Sequence, residues 1–159
     1  MMEDQRPKTR EHIKQVGDLL NEIVLQLTLR AYDHDRSKLE SPEREIFDEY
    51  TPKLRDTTYG SDEYNGYLKE MKVALDHHYA NNRHHPEHFY PEVAHYNVIN
   101  EIYAMNLIDI IEMLCDWKAA TKRHADGDII RSIEFNQGRF GYSDELKSIF
   151  LNTVRDLKW

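Results

Sequence analysis

Apolar residues recur along nearly the whole chain at steps of three and four, and no stretch of useful length alternates them at steps of two. Ile13, Val16, Leu19, Leu20, Ile23, Val24 and Leu27 set the pattern, which is one face of an amphipathic helix. A half-buried strand needs period two, so the pattern restricts the chain to an all-α fold. His12 lies one turn before Val16 and is expected on the same core-facing side.

Helix punctuation divides this pattern into about six helices. Thr9 or a neighbour caps the first, which ends in Tyr32-Asp33-His34-Asp35-Arg36-Ser37-Lys38. Ser41-Pro42-Glu43 reads as a second start, with serine at the N-cap, proline at N1 and an acid in the first turn. That helix is expected to reach about Arg55, with a loop from Asp56 to Gly60. Ser61-Asp62-Glu63 starts a third helix through Tyr64, Leu68, Met71 and Leu75 to near Tyr79. Ala80 to Pro91 is polar, rich in histidine and carries two prolines, so it reads as a loop. A fourth helix is expected over about Glu92 to Arg123, with a break near Asn97. Ala125-Asp126-Gly127 is a turn, Gly138 closes a short helix, and Ser143-Asp144-Glu145 opens the last one. A chain of 159 residues with this pattern predicts a single domain over 1–159.

Charge and cysteine usage narrow the function. The net charge of -8 offers no basic face for duplex nucleic acid. Small phosphorylated substrates remain open, because a bound metal reverses the local field. A lone cysteine, Cys115, allows no internal disulfide, which points to the reducing cytoplasm; it is expected as a small buried core residue. Met1 to Arg10 is polar and does not read as a signal peptide, and no run approaches the roughly 18 apolar residues of a membrane span.

Histidine is the unusual component. Of nine, five (His77, His78, His84, His85, His88) fall within residues 77–88. His34-Asp35 forms an adjacent pair, with His12 before it. Downstream, Asp109, Glu112 and Asp116 stand in the apolar run Leu107 to Trp117, within a sector of roughly 60° on a helix. Buried carboxylates are costly unless paired or bound to metal. Histidine with aspartate suits Mn, Fe, Co, Ni or Zn. Asp109 and Asp116 would be about 10 Å apart along the axis, too far to share one ion easily. Asp109 could instead pair with a buried arginine, and Glu112 could stand behind a ligand. Lys38 could pair with Glu40 or Glu43. His95 and His124 read as surface residues, and Tyr96, Tyr103 and Trp117 as core, with Trp117 able to line a pocket.

The order His12, His34-Asp35, Asp116 resembles the HD superfamily of metal-dependent phosphohydrolases. His34-Asp35-Arg36-Ser37-Lys38 is similar to its HD-x-x-K element, and Cys115 to Lys122 to its last metal-aspartate element. His84-His85-Pro86-Glu87-His88 resembles the paired histidines of binuclear members. The resemblance implies an HD-like helical bundle with a first metal site of His12, His34, Asp35 and Asp116. It also implies a second ion on histidines of residues 77–88, with His78, His84 and His88 best spaced. One or two divalent transition-metal ions would activate water against a small phosphoester, a nucleotide being the first expectation. Lys38 would bind a phosphate oxygen, with Arg83 and Lys122 as weaker candidates, and a histidine such as His84 would be the general acid. A homodimer is compatible with this reading. The alternatives are a di-iron oxygenase of the same ligand order and a metal-holding module without turnover.

Overall fold

The structure, a computed structural model, describes residues 4–58, 61–90, 100–123 and 127–159. It divides into two compact units, Met1–His34 and Asp35–Trp159, each described by itself. Among the described residues there are α-helices and short 3-10 turns and no strand, so the all-α expectation holds. No helix among them is long and apolar enough to cross a membrane.

The first unit is one helix, α1 (Arg6–Asp33). It starts earlier than expected, at the Gln5 N-cap rather than Thr9, with Pro7 in the first turn, where a missing N–H costs nothing. The 3.6-residue period is realised, but no residue of α1 is buried; Ile13, Leu19, Leu20 and Val24 are each more than half exposed. The periodicity specifies an apolar face, not what covers it. His12 is exposed and does not face a core.

The second unit begins with the turn Arg36–Leu39, followed by α2 (Glu43–Arg55), α3 (Asp62–Glu70) and α4 (Lys72–Asn81). The expected third helix is two, broken at Met71, and Pro42, not Ser41, occupies the N-cap of α2. After the turn Pro86–Phe89, residues 91–99 lie outside the described residues, and with them His95, Tyr96 and the expected start and break of the long fourth helix. A 3-10 turn at Glu101–Ala104 leads into α5 (Leu107–Thr121), shorter than expected because Asn106 caps it. The Asn106 side chain accepts from Ile108 and Asp109, and the Asp109 carboxylate accepts from the Asn106 N–H. Then come α6 (Ile129–Phe140) and α7 (Asp144–Asp156). Gly138 lies inside α6; Gly141 closes it at φ 62°, the left-handed conformation that favours glycine. His124 and most of the expected turn at 125–127 fall outside the described residues.

The core joins α5, α6 and α7. Met113, Leu114, Ile129, Ile133, Phe150 and Val154 pack with Phe89, Ile102 and Tyr142. Trp117 stacks on Phe140 and meets Phe150 edge-on, so it does belong beside the core. Tyr103 is exposed, and so is Cys115, contrary to expectation: Cys115 lies on the side of α5 away from the buried Met113 and Leu114.

Candidate metal centre

Three segments of the second unit deliver imidazoles and a carboxylate to one point. Asp35 enters just before the Arg36–Leu39 turn at φ 56°, a left-handed conformation that aspartate tolerates but that costs about 1 kcal/mol or more. His78 stands on α4. The Asn82 amide donates to the Ser37 hydroxyl (2.8 Å) and to the His78 carbonyl (2.8 Å), fastening the Arg36–Leu39 turn to α4. His84 and His85 follow the end of α4. His85 is extended, as the residue before a proline must be, and Pro86 opens the next turn.

The convergence is close. His78 Nε2 lies 3.3 Å from Asp35 Oδ1 and 2.9 Å from His85 Nε2, and His84 Nε2 lies 3.5 Å from the same Asp35 oxygen. One donor atom from each of Asp35, His78, His84 and His85 falls within 4.8 Å of the others. His78 and His84 are almost fully buried. Lys38 Nζ holds the other Asp35 oxygen, Oδ2, at 2.7 Å and lies over the Phe47 ring. Lys38 therefore braces this carboxylate with Oδ1 toward the imidazoles, rather than pairing with Glu40 or Glu43.

Behind the histidines stand carboxylates. Glu43 is wholly buried; its Oε1 is 2.7 Å from His77 Nδ1 and its Oε2 2.8 Å from His78 Nδ1. An ionised carboxylate can only accept, so Nδ1 of His78 carries the proton and Nε2 presents a lone pair to the centre. Glu112 Oε1 lies 3.1 Å from His84 Nδ1. A carboxylate behind the distal nitrogen is what orients histidines as metal ligands. Two imidazole nitrogens 2.9 Å apart need a proton or a cation between them, and a cation at this point would answer three lone pairs together.

The remaining expected residues separate into two groups. Asp116 is brought in: one of its carboxylate oxygens lies within 4.8 Å of one of Asp35's. Asp109 is not. It is buried in the α5 capping box and takes two hydrogen bonds from Arg83, at 3.0 and 3.2 Å, so the alternative of pairing with an arginine is the one realised, and Arg83 is engaged there. His88 is not: its Nδ1 donates to the Tyr79 carbonyl at 2.8 Å and its ring meets Phe89 edge-on. His34 is the C-cap of α1, its N–H on the Arg30 carbonyl. His12 and His34 stand at the two ends of this unbroken helix, about 33 Å apart at 1.5 Å per residue, so they cannot share an ion within one chain. The expected set His12, His34, Asp35, Asp116 is corrected at His12.

Two participants were missed at the sequence level. His85 belonged to the cluster but not to its best-spaced three; the signal was the following proline, which fixes its backbone. Glu43 read only as a first-turn acid, and nothing local marks it as the partner of residues 34 and 35 positions downstream.

Burial lowers the affinity of these imidazoles for protons. His85 is pushed down to about 3, chiefly by burial and then by the charges that His84 and His78 would carry. His78 is lowered too, by burial first and Lys38 second. The unfolded chain takes up protons near pH 6.5 that the folded chain refuses, so stability is complete above pH 6.5 and declines as pH falls toward 3. For metal-free protein, the urea midpoint is expected to fall by the equivalent of about 2 kcal/mol between pH 6.5 and pH 5, from about 1.4 kcal/mol per pH unit for one group. An unchanged midpoint would mean that these histidines are solvated.

A cleft of about 290 Å³ opens beside the centre between α5 and α6, with His85 and Asp116 in its wall and Trp117, Phe135 and Arg139 along it. A further hollow of about 380 Å³ shares Trp117, Ala120, Ser132 and Phe135 with it.

No curated protein and no solved structure matches this chain. A family model does, over residues 1–156, with every residue of the centre inside it, so the chain belongs to the family of unknown function DUF5662.

Proposed function

We propose that the chain is a metal-dependent hydrolase of small phosphoesters, working from a centre of His78, His84, His85 and Asp35. The observation that carries this reading is the approach of His78 Nε2 and His84 Nε2 to Asp35 Oδ1, with His85 Nε2 2.9 Å from His78 Nε2 and the carboxylates of Glu43 and Glu112 beside the Nδ1 atoms of His78 and His84. Three nitrogens and one oxygen suit Zn, Fe, Mn, Co or Ni, and do not suit Mg or Ca. The likeness to HD-type phosphohydrolases is supported by Asp35 and Asp116 lying within 4.8 Å, and it does not extend to His12.

A divalent ion held by Asp35, His78, His84 and His85 would supply Lewis acidity and activate water near neutral pH. The chain supplies the rest. Asp116, within 4.8 Å of Asp35 and in the cleft wall, would accept the proton of the attacking water. Lys38 and Glu43 hold Asp35 and His78 in orientation. The test is elemental analysis of purified protein, followed by a phosphoester panel after reconstitution with each of the five metals. Stoichiometric metal with turnover is the expected result. Metal-free protein that takes up none of the five ends the proposal, and iron with a visible charge-transfer band and no hydrolysis moves it to oxygenase chemistry.

A further inference from the structure

The cleft between α5 and α6 combines acid, imidazole, aromatic and guanidinium side chains. One end carries His85 and Asp116, which border the metal centre. Its length is aromatic: Tyr79, Trp117, Phe135 and Phe140. Phe135 is 55% exposed, a large apolar ring on an open wall, whereas Trp117 and Phe140 are fixed by parallel stacking. Arg139 is the cation of the cleft. Its Nη2 is 2.6 Å from Glu87 and its guanidinium lies 4.6 Å from the centre of the Phe140 ring, so it is held in place before any ligand arrives. Arginine has five N–H donors, more than Glu87 can use. Lys38 and Arg83, the cations first expected to meet a phosphate, are occupied on Asp35 and Asp109.

We infer that this cleft is the substrate site of the centre and takes an aryl phosphoester, its ring on Phe135 and Trp117 and its phosphoryl group between Arg139 and the His85–Asp116 end. This rests on the hydrolase reading. A volume of about 290 Å³ is at the small end of ligand sites, roughly 300–1,000 Å³, and matches a single-ring ester rather than a polymer. In the reaction, the water oxygen bonds to phosphorus and the ester P–O bond breaks. Its electron pair goes to the aryl oxygen, which ends with the proton that the water releases. Aryl oxides are better leaving groups than alkoxides, so a site whose acid is a carboxyl such as Asp116 can manage without a stronger acid.

The experiment uses phenylphosphonate, whose C–P bond is not hydrolysed, and methylphosphonate, titrated calorimetrically into metal-loaded protein. Phenylphosphonate is expected to bind at least about 10-fold more tightly, the worth of one ring contact of about 1.4 kcal/mol. Phe135→Ala, a change at an exposed ring, should erase that difference, and Arg139→Gln should weaken both ligands. Equal affinities, or a preference that survives Phe135→Ala, would overturn the inference even if the protein hydrolyses phosphoesters. A second titration, of neutral phenol into metal-free protein, separates the two proposals. Phenol binding lost in Phe135→Ala keeps the ring site even if no metal is ever found, and no phenol binding in any form removes it.

Discussion

Replacing His78, His84 or His85 by alanine is expected to strip the metal, while the same change at His88 or His12 leaves it in place. One donor atom from each of the three imidazoles and from Asp35 lies within 4.8 Å of the others, and each variant removes one of these four donors. Loss of a residue merely behind a ligand costs about 10–100-fold in metal affinity, so loss of a ligand should exceed about 100-fold. His88 instead caps the Tyr79 carbonyl from outside the group, and His12 is exposed on α1. The measurement is metal content after dialysis against a competing chelator. Retention of metal by all three alanine variants would remove the centre, and loss in His88→Ala would return the site to the spacing-based set.

Glu43→Gln and Glu43→Ala separate orientation from folding. Glu43 is wholly buried and accepts from both His77 and His78. Glutamine offers one carbonyl oxygen and turns an NH2 group toward the other imidazole, setting donor against donor. If His78 responds by shifting its proton to Nε2, its lone pair no longer faces the ion. Metal affinity should therefore drop about 10–100-fold in Glu43→Gln with the fold retained. Alanine removes both acceptors and leaves a void, and breaking a buried pair from one side costs about 3–5 kcal/mol. Glu43→Ala should accordingly show a markedly lower Tm. A glutamine variant with wild-type affinity would make Glu43 a folding residue alone.

These two predictions turn on residues with different visibility in the sequence. The all-helical class was legible because a 3.6-residue period is a local property, and so were the helix starts capped by Ser61 and Ser143, since such caps act within three residues; the start at Asn106 was not read, because the apolar pattern runs on across it. The histidine concentration was legible as a metal candidate by composition. Its internal selection was not, because spacing along a chain that leaves a helix at Asn82 says little about direction. His88 had the better spacing, yet Pro86 starts a turn that carries it to the Tyr79 carbonyl.

The sequence by itself determined which residue types were available: helices with defined ends, five clustered histidines, and the His34-Asp35 pair beside Lys38. Only the tertiary structure decided which of them meet. It put His12 and His34 at opposite ends of one helix, because nothing between Arg6 and Asp33 breaks it. It spent Asp109 on Arg83 and on the cap of α5, while Asp116, two turns further along, reached Asp35. It also brought Glu43 of α2 against His77 and His78 of α4, a pairing across more than thirty residues. Periodicity and capping act over a few residues and can be read locally. Ligand geometry depends on how helices pack against one another, and that is set by side-chain shape across the whole core.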